Sequence, residues 1–185
     1  MIFACISYLS GVNAQEGKDM KNQLLKILQN KQTSFQKFEG ELGNQIKFRD
    51  YKIPGGVITG NSGYSDIYLR VRHFAKANRC YLILSELRTK SEARIDYNDL
   101  LEINKNLSIL MNEAPVDCKE LPEYLQNEFN TRDDLNIGYY IETNKITWYI
   151  VFGWNEPTII IGNIASMREK LQQAQLKIEA LLSDN

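Results

Sequence analysis

Residues 137–150 read IGYYIETNKITWYI, and how this stretch folds decides the architecture. Aromatic and β-branched residues, the types that suit a pleated strand, flank Thr143-Asn144, a pair suited to a two-residue hairpin loop. Folded about that pair, Glu142 faces Lys145, Ile141 faces Ile146, Tyr139 faces Trp148 and Ile137 faces Ile150. Opposite charges and like hydrophobes meet at each step. A slip of one residue would turn every side chain to the wrong face, so the register is predicted along with the hairpin.

A second hairpin lies upstream. Ser65 to His73 and Arg79 to Leu87 read as strands, because Ile67, Leu69, Val71 and His73 alternate with Tyr68, Arg70 and Arg72. Folding about residues 74–78 sets Val71 opposite Leu82 and Leu69 opposite Leu84. Ile95 continues into a short third strand. Asp96, with Asp99 three residues on, then caps a helix whose inward face is Leu100, Ile103, Leu107 and Leu110 and whose end is marked by Pro115. After the later hairpin the order recurs: a short strand, Thr158 to Ile161, and a last helix with Ile164, Met167, Leu171, Ala174, Ile178 and Leu181 on one stripe. The displacement between the halves is about 65 to 70 residues, and the final stripe is too short for a coiled coil.

The remaining segments are read by the same rules. Lys18 to about Asn30 is predicted as an amphipathic helix carrying Met20, Leu24, Leu25, Ile27 and Leu28, with Phe35 and Phe38 continuing its stripe before Gly40 and Gly43. Gln45 to Ile53 and Val57 to Thr59 read as short strands separated by a Pro54-Gly55-Gly56 turn. Lys119 to Arg132 reads as a strand reaching Asn130. The expected fold is α+β: an antiparallel sheet, or two abutting meanders, built from two hairpin-strand-helix units behind an N-terminal amphipathic helix.

The first charged side chain is Glu16, in a protein that is 24% charged. Ile2 to Leu9 has the length of a signal-peptide core, and Val12-Asn13-Ala14 before Gln15 offers small residues where a signal peptidase cuts. The start is therefore read as a leader over residues 1–14, with residues 15–185 forming one α+β domain that works outside the cytoplasm, in the periplasm or beyond. Ser7, Ser10, Gly11 and Asn13 make the run too polar for a transmembrane segment. A net charge of −1 and a pI near 5.9 supply no field for phosphate backbones, so nucleic acid is not an expected partner.

Loss of the leader would leave Cys80 and Cys118. In an oxidising compartment these could form a disulfide closing a loop of about 39 residues, worth about 4 kcal/mol on the chain-entropy model. Alternatively both stay reduced as small apolar side chains. The first hairpin sets His73 across from Cys80, within reach of a Cys-His dyad for a cysteine hydrolase, or else a histidine closing an apolar face beside a structural cysteine. The outward faces of the hairpins gather Tyr68, Arg70, Arg72 and Tyr81 on one, and Tyr140, Thr147 and Tyr149 on the other. These residue types suit a protein or glycan partner, and they are also ordinary strand residues. One histidine and scattered carboxylates make no metal site, and no cofactor is expected. GxxxxGK[ST], GxGxxG, GxSxG and HExxH are all missing.

With Ala14-Gln15, Tyr97-Asn98-Asp99-Leu100-Leu101, Ile137 to Ile141 and Ile146 to Ile150 in place, the chain resembles small exported bacterial proteins of unknown function with a late hairpin before a C-terminal helix. The resemblance implies export and an α+β fold, and no catalytic residue. The expected function is an exported, non-catalytic binding or interaction domain. The alternatives are a Cys80/His73 hydrolase and an inhibitor or immunity-type protein.

Overall fold

The computed structural model describes residues 33–43, 46–58, 66–133, 135–153 and 156–183. The leader expected at 1–14 and the helix expected at 18–30 lie outside the described residues. The elements are α1 (Ser34–Glu41), β1 (Arg49–Ile58), β2 (Ile67–Phe74), a 3-10 turn (Ala75–Ala77), β3 (Arg79–Glu86), β4 (Ser91–Asp96) and α2 (Tyr97–Lys119). Then come β5 (Tyr124–Asn130), β6 (Asn136–Glu142), β7 (Lys145–Val151), β8 (Ile159–Ile161) and α3 (Ile164–Ser183). The strands form two four-stranded antiparallel meanders, β1-β2-β3-β4 and β5-β6-β7-β8, and the class is α+β.

Both hairpins take the register their side chains demand. Val71 pairs with Leu82 and Leu69 with Leu84 in the first, and Glu142 with Lys145 and Tyr139 with Trp148 in the second. Thr143 and Asn144 hold φ of 51° and 59°, the mirror-image turn whose twist matches the flanking strands. Asp96 caps α2, accepting from the Asp99 backbone N–H at 2.8 Å.

Three expectations are corrected. The strand expected in two pieces around Pro54-Gly55-Gly56 is one strand, β1. Its register with β2 shifts between Lys52 and Val57, so the turn-forming residues make a bulge inside the strand. Gly55 sits at φ +57°, and a Cβ on Gly56 would meet the Ile53 carbonyl oxygen at 2.7 Å. Pro115 does not end α2, which continues to Lys119. Pro115 itself is exposed, while Leu110 and Ala114 pack with Tyr139 and Ile141, and that packing carries the helix past the lost backbone donor. Phe35 and Phe38 belong to a helix that begins at Ser34: Thr33 caps α1, with its side chain accepting from the Gln36 backbone N–H and the Gln36 side chain accepting from the Thr33 backbone N–H.

Each meander is followed by a helix, yet the helices do not stay with the strands that precede them. α3, after the second meander, packs on β1, β2 and β3 of the first. α2, after the first, packs on β5, β6 and β7 and also touches β3 and β4. The predicted stripe Met167, Leu171, Ala174, Ile178 and Leu181 is thus buried against the first sheet, and one core runs from Ile53 and Val71 through Ile103 to Ile150 and Leu181. The two helices are laced together by Tyr97 Oη donating to Glu179 at 2.9 Å and Asn104 Nδ2 donating to Gln175 at 2.8 Å.

α1 lies on the other face of the first sheet, where Phe35 and Phe38 pack with Phe74, Tyr81 and Ile83. Its first turn reaches the second half of the chain: the Ser34 backbone N–H donates to the Asp133 carboxylate at 2.9 Å.

Because the helices are exchanged, damage to α3 should reach both sheets. Leu171→Ala, at a fully buried position, should cost about 2–5 kcal/mol. In urea unfolding of a Trp154→Phe background, Trp fluorescence, reporting Trp148 of the second sheet, and far-UV circular dichroism should shift together and remain coincident. Two separated transitions would contradict the shared core.

Candidate functional site

The outward face of the first sheet is occupied by its own ion pairs and by α1. Arg72 forms a fork with Asp50, with both bonds at 2.8 Å, and its guanidinium stacks 3.8 Å over the Phe48 ring. The bond from Arg72 holds the Asp50 carboxyl below its usual range. Arg70 reaches Asp50 at 3.2 Å, Glu92 at 2.6 Å and Ser85 Oγ at 2.9 Å. Arg79 and Arg94 stack over Phe38 and Phe35, the rings by which α1 docks. Tyr81, at 3% exposure, lies beneath those rings. Of the residues expected on this face, Tyr68 alone is exposed without being drawn into the ion pairs or the aromatic cluster. The acidic partners Asp50 and Glu92 escaped the sequence reading because Asp50 lies on the neighbouring β1 and Glu92 two strands away on β4, and such placements are invisible until the sheet order is known.

The outward face of the second sheet is built differently. Successive outward residues of β5 are Tyr124, Gln126, Glu128 and Asn130, facing Glu142, Tyr140, Gly138 and Asn136 on β6. Gly138 shapes this surface, since a Cβ there would lie 2.4 Å from the Asn127 carbonyl oxygen and 2.7 Å from Glu128 Cβ. With that side chain missing, the Tyr149 hydroxyl reaches across β6 to Glu128 on β5, donating at 2.5 Å, and accepts from Gln126 Nε2 at 2.8 Å. Tyr149 is 4% exposed, and burial, with the bond to Glu128 second, pushes its hydroxyl pKa far up. The same bond holds Glu128 below its ordinary value.

Tyr140 stands beside this anchor, 6.2 Å from the Tyr149 ring and stacked on Tyr124 with centroids 6.3 Å apart. Tyr124 is 59% exposed, and its hydroxyl donates to Gln126 Oε1 at 2.6 Å. The resulting surface offers two stacked phenol rings beside a fixed amide and carboxylate. Tyr140 was expected here, and Tyr149 was expected as a contact but serves instead as the buried support. Tyr124, Gln126 and Glu128 went unnoticed, although the alternation of YLQNEFN is a legible sign of a half-exposed strand.

The inward faces hold the remaining candidates. His73 pairs with Cys80 as expected, and both are buried. Burial raises the Cys80 thiol to about 11, the reverse of what a nucleophile at neutral pH requires. His73 Nε2 is buried without a hydrogen-bond partner. Glu86, six residues along the same strand and thus roughly 20 Å away, accepts from the backbone N–H groups of Arg88 and Thr89 and caps their turn. It cannot orient the imidazole.

Of the two readings of the cysteine pair, the structure holds Cys80 and Cys118 as free thiols. Cys80 sits with Asp96 and Tyr97 around a cavity of about 360 Å³ at the start of α2. Cys118 lies at the other end of that helix, about 30 Å away at the usual rise per residue, beside the carbonyl of Asn144. A bridge needs Cα atoms within about 7 Å.

Among the described residues, no three histidine, cysteine, aspartate or glutamate side chains gather as metal ligands, and no helix is long and apolar enough to cross a membrane. No family model, curated protein or solved structure matches this chain.

Two measurements check this geometry. Tyr149→Phe should move the NMR-detected pKa of Glu128 upward and cost about 1 kcal/mol of stability, since it removes the bond that lowers that carboxyl. Cys80, protonated in the fold up to about 11 against an ordinary value of 9.0, supplies stability that is complete below pH 9 and lost as pH rises through 11. Cys80→Ala should therefore flatten the alkaline side of the stability profile, by at most about 3 kcal/mol. An unchanged slope would show that the thiol is not sequestered.

Proposed function

We propose that this chain is an exported, non-catalytic binding domain that takes a protein or glycan partner on the outward face of its second sheet. The reading is carried by the contrast between the two sheet faces. On the first, the arginines are engaged by Asp50 and Glu92, and α1 covers the aromatic residues. On the second, no described element covers the Tyr124–Tyr140 stack, and the polar groups beside it are already fixed by Tyr149. Rigid aromatic rings next to pre-oriented hydrogen-bonding groups lose little entropy on binding, which is what makes such surfaces effective contacts.

Export rests on the uncharged start, the small residues before Gln15, and the resemblance to exported bacterial proteins. The hydrolase reading gains nothing from a thiol held protonated by burial.

A photo-crosslinking amino acid at position 140 should capture a discrete partner in cells of the native host. The same group at position 176, an exposed site on α3, should not. Tyr124→Ala together with Tyr140→Ala should leave the fold intact and weaken the captured interaction by about ten- to a hundredfold. In parallel, a glycan array probed with the purified chain tests the sugar alternative, and the intact mass of the native product should correspond to a chain starting at Gln15. Equal capture at both positions together with a blank array would overturn the assigned face.

A further inference from the structure

The four sheet edges differ in how they resist pairing with another strand. β1 contains Pro54 and an irregular step between Lys52 and Val57, and it carries Arg49, Asp50 and Lys52. β8 is three residues long, and β4 bears Glu92, Arg94 and Asp96 in alternation. Shortness, bulges, proline and charge are the means by which natural sheets keep their edges from associating. β5 is neither short nor bulged, holds no proline and carries a single charge. Its seven residues, YLQNEFN, pair with β6 without a shift in register, and Glu128 is its only charged residue.

The flank of β5 is also open. Among the described residues no strand lies on its far edge. Its inward-pointing Leu125 and Phe129 stay half-buried, although Ile141 and Ile137, their partners on β6, are fully buried. Beside Phe129 lies an open cleft of about 540 Å³, lined also by Asn98 and Glu102 of α2 and by Arg132, which bonds Asp99 of that helix at 2.9 Å.

We propose that β5 pairs antiparallel with β5 of a second copy of this chain, about a two-fold axis through Asn127, joining two four-stranded sheets into one of eight strands. In this register Leu125 faces the second copy's Phe129, Gln126 faces its Glu128, Tyr124 faces its Asn130, and every pair occurs twice. Apolar meets apolar on the inward side, and an amide meets a carboxylate on the outward side. An axis through Gln126 would instead set Leu125 against Asn127, and one through Glu128 would set Phe129 against Asn127. The strand is thus self-complementary about Asn127 and not about its neighbours. The pairing rests on the edge alone and does not depend on what the tyrosine surface binds. It sets two such surfaces side by side in one plane.

Sedimentation equilibrium of the full chain over a wide concentration range tests the proposal, with Gln126→Lys and Gln126→Glu as paired variants. The wild type should dimerise. Lysine at 126 faces Glu128 of the other copy twice and should tighten the dimer about tenfold, whereas glutamate opposes like charges twice and should loosen it by a similar factor. Because Gln126 also supports Tyr149, amide hydrogen exchange on the wild type supplies a second readout: residues 124–130 should gain protection as the concentration is raised. A chain that stays monomeric at every concentration overturns the proposal. So does a dimer whose affinity moves the same way in both variants. A monomer whose β5 amides are already protected would show that a segment of the same chain covers this edge, and would overturn it equally.

Discussion

The whole structure depends on the apolar faces of two sheets being closed by exchanged helices. Neither meander can bury itself, because a four-stranded antiparallel sheet exposes one apolar face and the helix that follows it in sequence packs mainly on the other sheet. α3 seals β1, β2 and β3, while α2 lies against β5, β6 and β7 and bridges back to β3 and β4. The Tyr97–Glu179 and Asn104–Gln175 bonds fix the two helices against one another, so the sheets hold their relation through the helices. The inner faces are consequently committed to the core, and surface chemistry is confined to the outer faces and the edges.

The two outer faces reach different solutions with similar residues. On the first, arginine, aspartate and glutamate satisfy one another and α1 covers the aromatics, so the surface is closed by its own composition. On the second, a glycine at 138 permits one tyrosine to lie across the neighbouring strand and become structural, leaving the next two available. A single missing side chain separates a surface of independent residues from a braced one.

Much of this was legible in the sequence because it is local. Both hairpins, the Asp96 cap and the stripes of α2 and α3 follow from alternation, turn chemistry and helical spacing, each of which acts over a few residues. The Pro54-Gly55-Gly56 segment was misread because the same residues serve a turn or a bulge, and only the partner strand decides between them. Pro115 was misread because tertiary packing of Ala114 overrides a local break. The bridge between Cys80 and Cys118 stayed open in the sequence because their separation depends on where α2 lies against β3 and β6. Burial of Tyr81 under Phe35 and Phe38, and of Tyr149 beside Gln126, depends on contacts between segments far apart in the chain. No pattern within a strand reports these.

The exchange of helices also imposes an order on synthesis. The apolar side of β1, β2 and β3 emerges from the ribosome complete by residue 86, but the helix that covers it ends at Ser183. At ordinary elongation rates the gap is on the order of ten seconds. A nascent chain therefore carries these three strands with a greasy side that only α2, at β3, partly shields until translation is nearly over. Loss of residues 164–183 would strip the oldest part of the molecule and leave β5, β6 and β7 with their cover in place.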